Sequence, residues 1–219
     1  MTAKRSLLVE GEIYHIFSKS IAGFTIFRND LEYERMRNSL RYYRTERPPL
    51  KFSVFSGIKD RGEFHQRHLD LREKLVDIIA YCLMPTHIHL VLKQLKEKGI
   101  STFMGNILNS CTRYFNIKTK RKGPLWESRF KSVTVKGDEQ LLHLTRYIHL
   151  NPVTAYLVDK PEDWTFSSYK EFLCETEEEK KLCNYSEALE AKPETYREFV
   201  DARTDYQREL ARIRELLIE

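Results

Sequence analysis

Val76–Asp77–Ile78–Ile79–Ala80–Tyr81–Cys82–Leu83 runs into Met84–Pro85–Thr86, and His87–Ile88–His89–Leu90–Val91–Leu92 follows at once. Two β-rich runs around a short proline turn predict a β-hairpin. A hairpin that is apolar along most of its length needs other elements to cover it, so it commits the chain to an antiparallel sheet with helices packed on it. The longest apolar stretch, Ile78–Met84, ends at Pro85 after seven residues. A membrane helix needs about 20.

The flanking segments supply those partners. Tyr14–His15–Ile16–Phe17, alternating toward Ile21, predicts a strand. Asp30 can cap a helix through Glu34, Met36 and Leu40 to about Glu46, where Pro48–Pro49 stops it. Phe52, Val54 and Phe55 suggest a short extended piece. Residues 57–72, with Gly57 and Gly62 among many charges, predict a loop or a solvated helix end. Ser101 opens a helix to about Lys118, Trp126–Val135 reads as extended, and Asp138 can cap a helix from Glu139 to Asn151 that Pro152 ends. Strands alternating with helices and returning antiparallel favour an α+β sandwich with helices on one face. A length of 219 residues fits one large domain, or one domain with an appendage. The division falls near residue 175, with a domain over 10–174 and a charged, helical extension over 175–219, where Arg208, Arg212 and Glu215 keep helical spacing.

Cysteine usage and charge narrow the function classes. Cys82, Cys111, Cys174 and Cys183 form no CxxC pair, and the first residues hold no apolar core or cleavage site, so a reducing, cytoplasmic setting is expected. A net charge of +5 permits a nucleic-acid partner without requiring one. Its distribution says more. From Arg113 to Lys136 there are eight basic residues against the single acid Glu127, among them Arg113, Lys118, Lys120, Arg121, Lys122, Arg129 and Lys131. Tyr114, Phe115, Trp126 and Phe130 are interleaved. Cations pair with phosphates and aromatic faces stack on unpaired bases, so the stretch suits single-stranded or hairpin DNA; it equally suits a solvated turn. Glu175, Glu177, Glu178 and Glu179 would repel phosphates, which fits a linker facing away from DNA.

Two groups of residues can do chemistry. His87 and His89, at i and i+2 in a strand, project from one face, where neutral imidazoles can share a divalent ion. They can also be ordinary satisfied polar residues. On the helix over 139–151, His143, Tyr147 and Asn151 recur every four residues beside the apolar stripe of Leu141, Leu144 and Ile148. Tyr147 can face a metal site from there, or lie half buried with its hydroxyl in water.

The block YCLMPTHIHLVLK (81–93) resembles the histidine–hydrophobic–histidine motif of the IS200-type single-tyrosine HUH transposases. GPLWESRFKSVTV (123–135), RYIHLNPVTAYLV (146–158) and the opening GEIYHIFSKSIAGFTIF (11–27) are similar to the subgroup associated with repetitive extragenic palindromes. The resemblance covers about residues 10–170. It implies a ferredoxin-like α+β fold, a Mg²⁺ or Mn²⁺ ion and a tyrosine nucleophile that attacks single-stranded DNA. By position, His87 and His89 match the metal-binding histidines, Tyr147 the nucleophile and Asn151 a polar residue beside the metal, which is Gln in some relatives. The implied chemistry suits these residues. A metal ion at the histidines would neutralise charge on the scissile phosphate. Tyr147 would form a 5′-phosphotyrosine and release a 3′-OH, storing the phosphodiester for rejoining. His143 is a candidate for taking the tyrosine proton. Tyr114 and Tyr156 are expected to be packed rings.

The implied protein is a DNA transposase and single-strand nuclease acting on palindromic hairpins, cytoplasmic and held at the nucleoid by DNA, as a monomer or homodimer. Two alternatives stand beside it: a hairpin-binding protein without catalysis, and a metal phosphodiesterase that uses water.

Overall fold

The computed structural model describes residues 7–190 and 192–203. Arg208, Arg212 and Glu215 therefore lie outside the described residues. Four strands, β1 (Ile13–Lys19), β2 (Val76–Met84), β3 (His87–Gln94) and β4 (Lys131–Thr134), form one sheet in the order β2-β3-β1-β4, every neighbouring pair antiparallel. Helix α1 (Asp30–Tyr43) follows β1, the short helices α2 (Phe52–Phe55) and α3 (Arg61–His68) lead to the β2–β3 hairpin, and α4 (Gly99–Lys118) joins β3 to β4. The chain order strand, helix, hairpin, helix, strand with this neighbour order is the ferredoxin-like arrangement. Beyond it lie α5 (Asp138–Thr154), α6 (Tyr169–Phe172) and α7 (Pro193–Asp201).

Helices cover both faces of the sheet, not one as the alternation suggested. The reason is legible in β2, where all nine residues are buried. A strand with no polar face would leave one side of the sheet apolar in water. A register irregularity between Ile78 and Ala80 sorts the side chains. Ile78, Tyr81 and Leu83 enter a core with Ile16, Leu90, Met36 and Leu40 of α1, and Phe103 and Ile107 of α4. Ala80, Cys82 and Met84 enter a second core with Val91, Leu141 and Ile148 of α5, Tyr169 and Phe172 of α6, and Tyr196 and Val200 of α7. At the start of α4, Gly99 lies so close to the Leu75 carbonyl that any Cβ would collide with it.

Several local expectations are corrected. Asn29, not Asp30, caps α1, its side chain accepting from the Glu32 N–H. Residues 52–55 are helical, because Phe52 and Phe55, three apart, both pack on Tyr42 in a small third core. Residues 61–68 form a helix capped by the Asp60 carboxylate. Only 131–134 of the extended stretch pairs in the sheet, with one isolated bridge from Ser20 to Trp126. Gly137 precedes α5, Asp138 is its first residue, and the helix runs two residues past Pro152. Pro152 withdraws a single N–H near the helix end, where few intrahelical bonds are left to break.

Residues 182–190 and 192–200 pack onto the domain. The buried Glu171 carboxylate accepts the N–H groups of Leu182 and Cys183, and Leu182, Leu189, Tyr196 and Val200 are buried. The acidic run is a surface turn whose charges pair locally, as in Lys180–Glu177 and Arg197–Glu175.

Candidate active site

The hairpin register decides where the histidines point. His87 pairs with Met84 and Lys19, and His89 with Cys82 and Phe17, so both rings lie on the sheet face that carries α5. Their centroids are 5.1 Å apart, nearly perpendicular. Each ring is held through Nδ1: that of His87 is 2.9 Å from Thr86 Oγ1, and that of His89 is 3.0 Å from Nε2 of His15. Nε2 of each ring is the atom left for a ligand. His15, on β1, joins this group of rings although the motif reading did not include it. Its only sequence signal is that it alternates with Phe17, and nothing in sequence pairs β1 with β3.

Burial favours the neutral form of all three imidazoles. The His89 pKa is pushed down to about 3 by desolvation, with His87 and His15 adding to it. Desolvation alone takes His15 down to about 4. His87 is lowered by desolvation and then by the nearby Lys19 ammonium. A neutral imidazole has a lone pair to offer, which an imidazolium lacks.

Helix α5 brings Tyr147 to the same place. Its ring centroid lies 5.9 Å from that of His89 and 6.4 Å from that of His15, both edge-on, with the side chain 43% exposed. The tyrosine and the histidines of one chain therefore meet, without a second copy. Asn151, one turn on, is partly buried, and its Nδ2 is buried with no hydrogen-bond partner. The other α5 candidate, His143, is engaged elsewhere: Arg146 Nη2 lies 2.8 Å from its Nδ1, and its ring packs on Phe199 of α7. Tyr114 is half buried under the Arg35 guanidinium, whereas Tyr156 is 52% exposed and not the packed ring expected. Tyr156 sits just past α5 at φ 54°, a turn that lifts its ring out of the core.

An open cleft of about 230 Å³ adjoins the histidines, lined by Phe17, Lys19, His87, His89, Glu127 and Lys131 among others. The basic stretch does not form one surface. Lys131 faces this cleft and lies over the Phe17 ring, Arg129 lines a neighbouring cleft with Trp126, and Arg113 lines a third beside Arg35 and Lys51. Lys118 pairs with the buried Glu32, and Arg121 braces the 116–124 turn through Asn116 and the Pro124 carbonyl. Lys120 and Lys122 are exposed at that turn.

Among the described residues no group of three or more His, Cys, Asp or Glu side chains is placed to hold a metal ion. The smaller donor set does fit a divalent cation: two neutral imidazoles with Nδ1 engaged, and a carboxamide whose buried amide has no partner. Carboxamide oxygen and nitrogen are assigned rather than seen, so Asn151 can turn its oxygen toward an ion. No helix of the described residues is long and apolar enough to cross a membrane.

The four-stranded antiparallel sheet, with an H-x-H pair beside Tyr147 of α5, has counterparts among known proteins. Residues 54–151 match the family described as Transposase IS200 like. A Haemophilus influenzae protein named as a REP-associated tyrosine transposase is 28% identical over 104 residues, covering 42% of this chain and 58% of that protein. The chain thus spans little more than half the length of that curated relative. A solved structure of a REP-associated tyrosine transposase bound to a REP hairpin superposes with a TM-score of 0.52 at 13% identity, over 84% of this chain and 93% of that one. At that identity the likeness is one of fold.

Proposed function

We propose that this chain cleaves and rejoins single-stranded hairpin DNA through a covalent bond to Tyr147. The observation that carries the reading is the edge-on packing of the Tyr147 ring against His89 and His15, with Asn151 one turn away. Tyr147 Oη attacks the scissile phosphorus and loses its proton to solvent, the new Oη–P bond replaces the P–O3′ bond, and the departing 3′ oxygen takes up a proton from solvent. The product is a 5′-phosphotyrosine and a free 3′-OH; attack by another 3′-OH reverses the chemistry and joins new ends. His87, His89 and Asn151 would hold Mg²⁺ or Mn²⁺, which supplies Lewis-acid neutralisation at the phosphate. Lys131 and Lys19 beside the cleft suit the incoming backbone. Arg113, Lys118, Lys120, Arg121, Lys122 and Arg129 are the other candidate DNA contacts, with Lys118 and Arg121 also bound within the protein. Residues 10–174 would form the catalytic domain, and those from 175 on its brace.

The test is denaturing gel electrophoresis after mixing the protein with labelled hairpin DNA and Mn²⁺. The expected result is label bound to wild-type protein, mapped to the Tyr147 peptide, and absent in Tyr147→Phe while hairpin binding survives. Cut DNA without an adduct would indicate a hydrolase using water, and binding with neither would indicate a hairpin-binding protein.

A further inference from the structure

His15 takes no part in the chemistry above, yet its ring is hydrogen-bonded to His89 at the site. It is placed by the sheet register, which puts His15 opposite Val91 and Phe17 opposite His89, so His15 reaches His89 diagonally across one face. The two rings lie side by side, with centroids 5.3 Å apart and only 18° between their planes, and one nitrogen of each is 3.0 Å from the other. A hydrogen bond between two neutral imidazoles has one donor and one acceptor, and the choice decides what His89 can do. If His15 Nε2 donates, His89 carries its own proton on Nε2 and has no lone pair facing the cleft. If His89 Nδ1 donates, Nε2 of His89 is the bare nitrogen. The same logic holds for His87, whose Nδ1 lies 2.9 Å from the Thr86 hydroxyl.

We propose that His15 is a positioning residue: its Nε2 accepts the Nδ1–H of His89, which fixes the ring plane and the tautomer of His89 so that Nε2 is presented, unprotonated, to a divalent cation. The inference rests on the metal reading given under the proposed function, but it makes a claim about the metal-free protein as well. Ligating imidazoles commonly donate their second N–H to an acceptor, and removing that acceptor weakens metal binding by about 10- to 100-fold.

The experiment uses the full chain and two variants. His15→Leu keeps bulk but removes the acceptor; His15→Gln places a carboxamide oxygen near the former Nε2. Imidazole ¹⁵N chemical shifts, recorded without metal, report which nitrogen of His89 is protonated. Calorimetric titration with MnCl₂ reports affinity, and thermal unfolding with hairpin binding reports integrity. The expected result is a wild-type His89 protonated at Nδ1, a mixed tautomer in His15→Leu with Mn²⁺ affinity down by about 10- to 100-fold, and recovery of most of that affinity in His15→Gln. A wild-type His89 protonated at Nε2 overturns the proposal. So does a folded His15→Leu protein that keeps the wild-type tautomer and affinity, or one that fails only in adduct formation, which would place His15 with Tyr147 instead. If wild type binds no Mn²⁺, the metal reading fails while the ¹⁵N shifts still decide the tautomer.

Discussion

Replacing Tyr196 with Phe should cost the protein about 1–3 kcal/mol, although the two side chains differ by one oxygen. Tyr196, on α7, is buried, and its hydroxyl lies 2.7 Å from Nδ1 of the fully buried His149 on α5. Nε2 of His149 lies 2.7 Å from Ser168 Oγ, which in turn donates to the Tyr81 carbonyl of β2. One proton arrangement satisfies the whole chain: Tyr196 O–H donates to Nδ1, Nε2–H to Ser168, and Ser168 O–H to Tyr81. Phenylalanine keeps the ring packing on Phe172, at 4.9 Å, and deletes only the donor. It leaves the Nδ1 lone pair buried and unpaired, and the cost of that desolvated acceptor sets the estimate. Tyr196→Ala also opens a cavity and should cost about 3–5 kcal/mol. Urea unfolding at constant m value measures both. Because His149 is two residues from Tyr147, the same variants should slow adduct formation in proportion to how far α5 loosens. A Tyr196→Phe protein within about 0.5 kcal/mol of wild type, the range of an ordinary surface change, would refute the idea that α7 is keyed to α5 through this bond.

Three further outcomes are expected. Burial lowers the His149 pKa to about 3, below the 6.5 of an exposed imidazole, so its contribution is full above about pH 6.5 and declines as pH falls. The unfolding free energy from urea titrations should drop from pH 7 to pH 5 by about 2 kcal/mol for this group, a share that His149→Gln should lack; an identical pH dependence in the variant would contradict it. His87→Ala and His89→Ala should each abolish cleavage and weaken Mn²⁺ binding in calorimetry while leaving hairpin binding largely intact, and a double variant that binds Mn²⁺ like wild type would remove the metal assignment. Lys131→Ala, and separately Lys120→Ala with Lys122→Ala, should reduce the salt dependence of hairpin binding by about 0.7–0.9 in log–log slope for each phosphate left without its cation. Arg121 is spared in that pair because it braces its own turn, and unchanged slopes would identify the stretch as an ordinary loop.

What the sequence settled by itself was local. The β2–β3 hairpin, the H-x-H spacing and the Tyr147–Asn151 turn of α5 follow from short-range rules, because proline turns, strand alternation and helical periodicity act over a few residues. The order of blocks also carried the resemblance to IS200-type transposases. Tertiary structure decided the rest. No short-range pattern pairs β1 with β3, so His15 stayed hidden until the register set it against His89. The apolar run of β2 asked for cover, but only packing showed that both faces have it and which helices supply it. The run from Arg113 to Lys136 looked like one basic surface and is divided among three clefts and an internal ion pair, since charge along a chain says nothing about where turns send each side chain. Residues 182–200 read as charged extension because their few apolar side chains are far apart in sequence. Folding gathers Leu182, Leu189, Tyr196 and Val200 into the cores, and burial is a property of the assembled layers that no single segment carries.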